Sequence, residues 1–289
     1  GIDSSHISFL HSTVASHRTG NQEAAGLTAH DKHPHFELAD TDYGLVIAAR
    51  RSTPDPNAYY WRMHQFLVPF FQMIPADRGG PISGHVWVPI DDHTNWAWSM
   101  TWNPDKPLAQ EVIDRMDSGT GIHATADAKY RPLANKDNDY LMDREAQKRG
   151  DTYSGIEGIA IQDGSLQESM GPIIDRTKEN LVSTDNGIIM ARNRLLKASR
   201  ALADKGVIPP GVDPEHHKVR QAALLLKRPD EAQAYIEDEQ APWYRLTGRA
   251  IIADESDSGL TPDVFPNLTW TGEKLRGDWI EKFLKNGTP

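Results

Sequence analysis

Strand-like segments crowd into residues 30–102 and helix-like ones follow after 158, and that order restricts the fold more than any single residue does. "HDKHPHFELADTDYGLVIAARR" (30–51) passes from a Pro-containing loop into a strand, and "AYYWRMHQFLVPFFQMI" (58–74) reads as one long apolar and aromatic strand. "GHVWVPIDDHTNWAWSMTW" (84–102) reads as two strands around an Asp-Asp turn, which makes an antiparallel meander. From Gly158 the pattern turns helical in "IAIQDGSLQESMGPIIDRTKENL", where Ser165 and Glu168 have capping-box spacing. A second helix is predicted over "STDNGIIMARNRLLKASRALADKG", started by Ser183 or Thr184 and stopped by Gly206 and two prolines. Strands first and helices last predict an α+β domain with helices packed on an antiparallel sheet, not alternating parallel βαβ units. Between Pro104 and Gly155 the chain is polar and turn-rich, with one predicted helix at "AQEVIDRMD", and reads as a long surface excursion.

Charge and composition remove whole classes of function. A net charge of -10 repels a phosphate backbone, and the basic residues are scattered except for Arg192, Arg194, Lys197 and Arg200, so nucleic acid is not the expected partner. No run of eighteen apolar residues and no signal-peptide pattern occurs, so neither a membrane partner nor export is expected and the predicted location is cytoplasmic. Cysteine is absent, which removes disulfides, thiolate nucleophiles, thiolate zinc sites and iron–sulfur ligation by this chain. A metal must then sit on carboxylates and some of the twelve histidines, a donor set that suits iron(II), zinc or manganese.

The opening "GIDSSHISFLHS" carries Asp3, His6 and His11 with the spacing D-x2-H-x4-H. Ser4 or Ser5 ahead of Ile7, Phe9 and Leu10 predicts a short helix. On a helix Asp3 and His6 share a face, so the carboxylate can orient one imidazole and leave its other nitrogen for a metal. His11 stands about 140° further round an ideal helix, so the two imidazoles meet only if that helix is irregular. The spacing permits a shared ion, and equally a packed or solvent-facing pair.

Two stretches carry a family resemblance. "GIDSSHISFLHS" resembles the segment bearing the mononuclear iron histidines in large subunits of Rieske non-haem iron aromatic ring-hydroxylating oxygenases. "NDYLMDREAQKRGDTYSGIEGIAIQDGSLQESMGPIIDRTKENLVSTDNGIIMARNRLL" (138–196) is similar to the catalytic half of the phthalate 4,5-dioxygenase-like branch, which also holds aromatic O-demethylases. The Q-D, Q-E-S-M-G-P-I-I-D-R and S-T-D blocks are the specific part, and the likeness spans about residues 1–225. It implies a helix-grip fold, an antiparallel sheet curved around a long C-terminal helix, and an iron(II) held by two histidines and one carboxylate with positions left for dioxygen and substrate. By motif the implied ligands are His6, His11 and Asp163, with Asp3 as the bridge that carries electrons between subunits. Gln162 beside the carboxylate is a candidate to hydrogen-bond a ligand, or else an ordinary surface amide. Asp163 has a plain alternative as a helix-leading carboxylate.

In that family a preceding domain binds a two-iron two-sulfur Rieske cluster through two cysteines and two histidines, and this chain cannot bind one. The expected organisation is therefore a catalytic domain over 1–225, separated from its Rieske domain, and an extension over 226–289 of unassigned role. A homotrimer is implied for the whole protein, with a reductase or ferredoxin as electron donor.

Other residues offer weaker signals. In "YYWRMHQF" strand alternation sets Tyr60, Arg62, His64 and Phe66 on one side and Trp61, Met63, Gln65 and Leu67 on the other. Arg62 is a candidate to pair bidentately with an aromatic carboxylate, with His64 beside it, although an outward Arg paired to a surface acid has the same signature. Trp87, Trp96 and Trp98 are either pocket floor or core. His30, His33 and His35 in "HDKHPH" suggest an exposed turn rather than zinc. "FPNLTWTGEKLRGDWIEKFLKNGTP" faintly resembles the end of small c-type cytochromes but lacks C-x-x-C-H, and an amphipathic helix is the better reading.

The function these features favour is a terminal oxygenase component that hydroxylates, dihydroxylates or O-demethylates a carboxylated or methoxylated aromatic with O2. The rivals are a metal-free ligand-binding module on the same fold and a zinc hydrolase.

Overall fold

The computed structural model describes residues 2–12, 22–75, 80–103, 105–217 and 219–227. In chain order the elements are a 3-10 turn His6–Ser8, α1 Gln22–His30, β1 His35–Asp40, β2 Gly44–Ser52, β3 Ala58–Leu67, β4 Phe71–Ile74, β5 Ile82–Pro89 and β6 Asn95–Trp102. There follow α2 Gln110–Ser118, α3 Arg144–Arg149, α4 Ile159–Ser169, α5 Asn186–Lys205 and β7 Ala222–Lys227. The described residues fall into two compact units, one built from those within 2–4, 34–107 and 181–227, the other from those within 5–33 and 108–180.

The first unit is an antiparallel sheet in the order β1-β2-β3-β4-β5-β6, with β7 paired to β3. Sheet plus long helix make it α+β. Alternation sorts β3 between two cores. Trp61, Met63 and Leu67 join Val46, Met73 and Val86, while Phe66 joins Leu45, Ile47 and Ala191 of α5. Buried Gln65 is satisfied by accepting from the Tyr43 hydroxyl at 2.6 Å and donating to the Arg220 carbonyl at 2.7 Å. Burial pushes the Tyr43 phenol up, so it stays a neutral donor.

α5 seats on β2 because Gly187 has no side chain where a Cβ would come within 3.2 Å of Ile47 Cγ2. Arg194 ties the helix to the β1–β2 hairpin, donating to the Thr41 carbonyl at 2.8 Å with Asp40 at 3.5 Å. The helix ends at Gly206, whose φ of 67° supplies the left-handed C-cap that the sequence predicted.

Several predicted elements differ in detail. The single strand over 58–74 is two, because Pro69 has no N–H to continue the ladder and the chain turns between Leu67 and Phe71. The single strand over 35–51 is the β1–β2 hairpin, turned at Gly44, where a side chain would collide with the Phe66 carbonyl oxygen. Gly44→Ala is expected to cost about 2 kcal/mol or more, in line with overpacked cores, and a lower midpoint in calorimetric melting checks it. The long helix is not the last described element, since β7 returns to pair with β3. β7 also crosses residue 225, and the rest of the predicted extension and its amphipathic helix lie outside the described residues. Trp96 and Trp98 are not core: they stand 41% and 52% exposed on edge strand β6.

In the second unit α4 begins at Gly158, with φ of 84° and its Cα against the Gly119 carbonyl, so closely that no Cβ would fit. Ser165 therefore is no cap. It sits inside α4 and its hydroxyl donates to the Gln162 carbonyl at 2.8 Å. α4 stops at Ser169 ahead of Pro172, and the excursion over 104–155 holds two helices, α2 and α3, instead of one. No helix among the described residues is long and apolar enough to cross a membrane.

Candidate metal centre

The 3-10 turn at His6–Ser8 continues into a tight bend in which the His6 carbonyl accepts from both Phe9 and Leu10 N–H at 2.9 Å. The short helix expected behind Ser4 or Ser5 is this 3-10 turn with Ser5 at its N-cap, and its irregularity brings imidazoles five residues apart onto one point. Asp3 precedes the turn, so the shared-helix-face argument for Asp3 and His6 does not apply. The Ser8 hydroxyl donates to the Thr28 carbonyl of α1 at 3.1 Å and holds the bend down.

α4 brings the third group. His6 Nε2 lies 3.1 Å from His11 Nε2, and Asp163 Oδ1 lies 3.4 Å from the first and 3.0 Å from the second. The His11 side chain is 2% exposed, whereas His6 and Asp163 are 28% and 26% exposed, so the cluster is closed at its back and open at its front. Next to Asp163, Gln162 is fully buried, and its Oε1 lies 2.6 Å from His11 Nδ1. Burial pushes the Asp163 carboxyl up, but hydrogen bonds with His11 and His6 and the charge of both imidazoles outweigh it and hold the group far below the usual carboxylate range.

The donor set fits a single ion. Three donors at about 2.1 Å, at right angles on one face of an octahedron, stand about 3.0 Å apart, and tetrahedral donors about 3.4 Å. The observed edges of 3.0, 3.1 and 3.4 Å span that range. Among the described residues this is the one group of three histidine or acidic side chains so arranged; His30, His33 and His35 are not drawn together.

Arg62 and His64 lie in the other unit, both buried on β3 and on the same side as Phe66. Arg62 is not the outward surface arginine of the plainer reading. It stands opposite Ala49 of β2 and Ala223 of β7, two small neighbours, and its Nε has no hydrogen-bond partner among the described residues. Across the same face run Gln72, opposite Phe66, then His85 and Ser99, with His85 Nδ1 3.1 Å from the Ser99 hydroxyl. Gln72, His85 and Ser99 escaped the sequence reading because their phase depends on the break at Pro69. Once β4 is separated from β3, alternation finds all three.

The first unit is a sheet-based α+β fold, and in the second two imidazoles and one carboxylate converge on a point as a set that could hold a single metal ion. Residues 1–230 match the family described as "LigXa C-terminal domain like", and the chain belongs to that family. It is 36% identical over 228 residues to the 3-chlorobenzoate-3,4-dioxygenase oxygenase subunit of Comamonas testosteroni, covering 73% of this chain and 52% of that protein. It is 35% identical over 209 residues to the phthalate 4,5-dioxygenase oxygenase subunit of Pseudomonas putida, covering 69% and 47%. The chain thus spans about half the length of the curated relatives it matches, and the second of them bears the name of the branch read from its motifs.

Proposed function

We propose that this chain is the catalytic domain, over residues 1–225, of an aromatic ring-hydroxylating oxygenase, on a helix-grip version of the α+β fold. The observation that carries the reading is the convergence of His6 Nε2, His11 Nε2 and Asp163 Oδ1 on one point. His6, His11 and Asp163 would hold iron(II), and an iron there would supply the reduction of dioxygen beside an aromatic ring. His11 provides the rigid back of the site. His6 and Asp163, partly exposed, leave its front accessible.

Arg62 binds the carboxylate of the aromatic, supported by its burial and by an Nε with no hydrogen-bond partner among the described residues, and His64 lines the same face. Asp3 is the residue that would carry electrons toward an iron held there. The donor is a reductase or ferredoxin acting through a Rieske cluster on sequence other than these 289 residues, since they contain no cysteine. The whole protein is a cytoplasmic homotrimer, and residues 226–289 are an appendage to the catalytic domain. Hydroxylation, dihydroxylation and O-demethylation share this ligand set.

A second reading, a metal-free module that binds aromatic carboxylates, is favoured by the buried guanidinium alone. Metal analysis of folded protein purified anaerobically with iron(II) separates the two. About one iron per chain is expected; none would leave the binding module in first place.

A further inference from the structure

We infer that Gln162 is a positioning residue that fixes which nitrogen of His11 carries the proton, and that the Ile156 carbonyl fixes Gln162 in turn. The inference rests on the metal-site reading for its purpose, but its geometry stands alone. The Gln162 amide has one orientation with both ends satisfied: Nε2 donates to the Ile156 carbonyl at 2.8 Å, so Oε1 faces His11 Nδ1 at 2.6 Å. A carbonyl oxygen only accepts, so Nδ1 bears the hydrogen. With Nδ1 so engaged, Nε2 is the nitrogen of His11 that faces His6 Nε2 and Asp163 Oδ1, and its lone pair is the one a metal there would take. Were the amide turned over, two buried acceptors would face each other at the Ile156 carbonyl, which costs more than that hydrogen bond contributes.

The backbone around Ile156 makes that orientation durable. "GIEG" (155–158) begins and ends on glycines with φ of 76° and 84°, and neither could hold a Cβ: Gly155 abuts the Asp143 carbonyl and Gly158 the Gly119 carbonyl. The Gly155 carbonyl accepts from Asp143 N–H at 2.8 Å, and Asp143 in turn caps α3. The loop is thereby pinned on both sides, and the Ile156 carbonyl turns back toward α4. A lone pair on Nε2 binds a cation, whereas the tautomer with hydrogen on Nε2 must first lose it. Gln162 and Asp163, adjacent in sequence, thus divide the work: one prepares a ligand and the other is one.

Nitrogen-15 NMR of the imidazoles in the metal-free full chain, at about pH 8.5, above the ordinary imidazole range, reads the tautomer directly. Hydrogen on His11 Nδ1 is expected in the wild type, and a bare Nδ1 would overturn the inference whatever any variant does. Gln162→Met removes the acceptor and is expected to shift His11 to the Nε2–H form and to weaken zinc(II) or iron(II) binding about 10- to 100-fold. Gln162→Glu keeps an acceptor and is expected to restore Nδ1–H, which a merely space-filling residue would not do. An unchanged tautomer in folded Gln162→Met would overturn the inference. Nδ1–H in a wild type that takes up no metal would instead defeat the metal reading and leave the positioning role standing.

Discussion

Asp163→Ala is expected to reduce iron from about one per chain to below about a tenth in anaerobically purified protein, while the fold survives. The group removed is the only anion of the three donors, and it lies within 3.4 Å of both imidazole nitrogens. Without it two neutral nitrogens remain, too few to retain a divalent ion against buffer and water. His11→Ala is expected to match it, because the fully enclosed ligand has no neighbour to replace it. The fold should tolerate Asp163→Ala because the carboxylate is a quarter exposed and on one side of α4. A depressed carboxyl stabilises the fold above the ordinary carboxylate pKa and loses that contribution as pH falls through the folded value. The wild type should therefore be the more stable protein at neutral pH, and its advantage over Asp163→Ala should shrink below about pH 4. Melting curves across that range check the sign, and full iron retention by Asp163→Ala would remove the carboxylate from the ligand set.

Arg62→Met is expected to weaken binding of an aromatic carboxylate such as benzoate on the order of 100-fold, the effect of truncating one partner of a buried charge pair. Binding of methyl benzoate, which has no anion, should change little. The same variant should melt higher than the wild type, because a buried guanidinium whose Nε has no partner among the described residues is costly and an apolar chain of similar length packs without that cost. Opposite movements of affinity and stability distinguish a recognition residue from a structural one. Equal losses of acid and ester, measured by titration calorimetry, would return Arg62 to an ordinary packing role.

The local signals in the sequence were good wherever one element decided the outcome. The β5–β6 hairpin around Asp91 and Asp92, helix α2 and the stop of α5 at Gly206 all follow from turn chemistry and periodicity within a dozen residues. The errors came where a distant backbone intervened. Ser165 and Glu168 have the spacing of a cap, yet α4 starts seven residues earlier because Gly158 packs on the Gly119 carbonyl, a contact thirty-nine positions away in the chain. Trp96 and Trp98 have the composition of a core strand, yet β6 is the last strand of its sheet and leaves them exposed.

The candidate site divides in the same way. Residue type alone determined the chemistry: a chain with no cysteine must offer nitrogen and oxygen to a metal, and the blocks around Asp163 named the carboxylate by resemblance. The strand alternation of "YYWRMHQF" likewise set Arg62 and His64 on one side before any fold was known. Only the tertiary structure decided that His6 and His11, placed about 140° apart by an ideal helix, meet at 3.1 Å, because the chain forms a 3-10 turn and a bend instead. Only it brought Gln162 to His11 across 151 positions and turned the Ile156 carbonyl to orient the amide. Ligand identity is a property of side chains and is written locally. Ligand geometry depends on backbone contacts between distant segments, and hydrogen-bond direction depends on which groups burial forces to find partners.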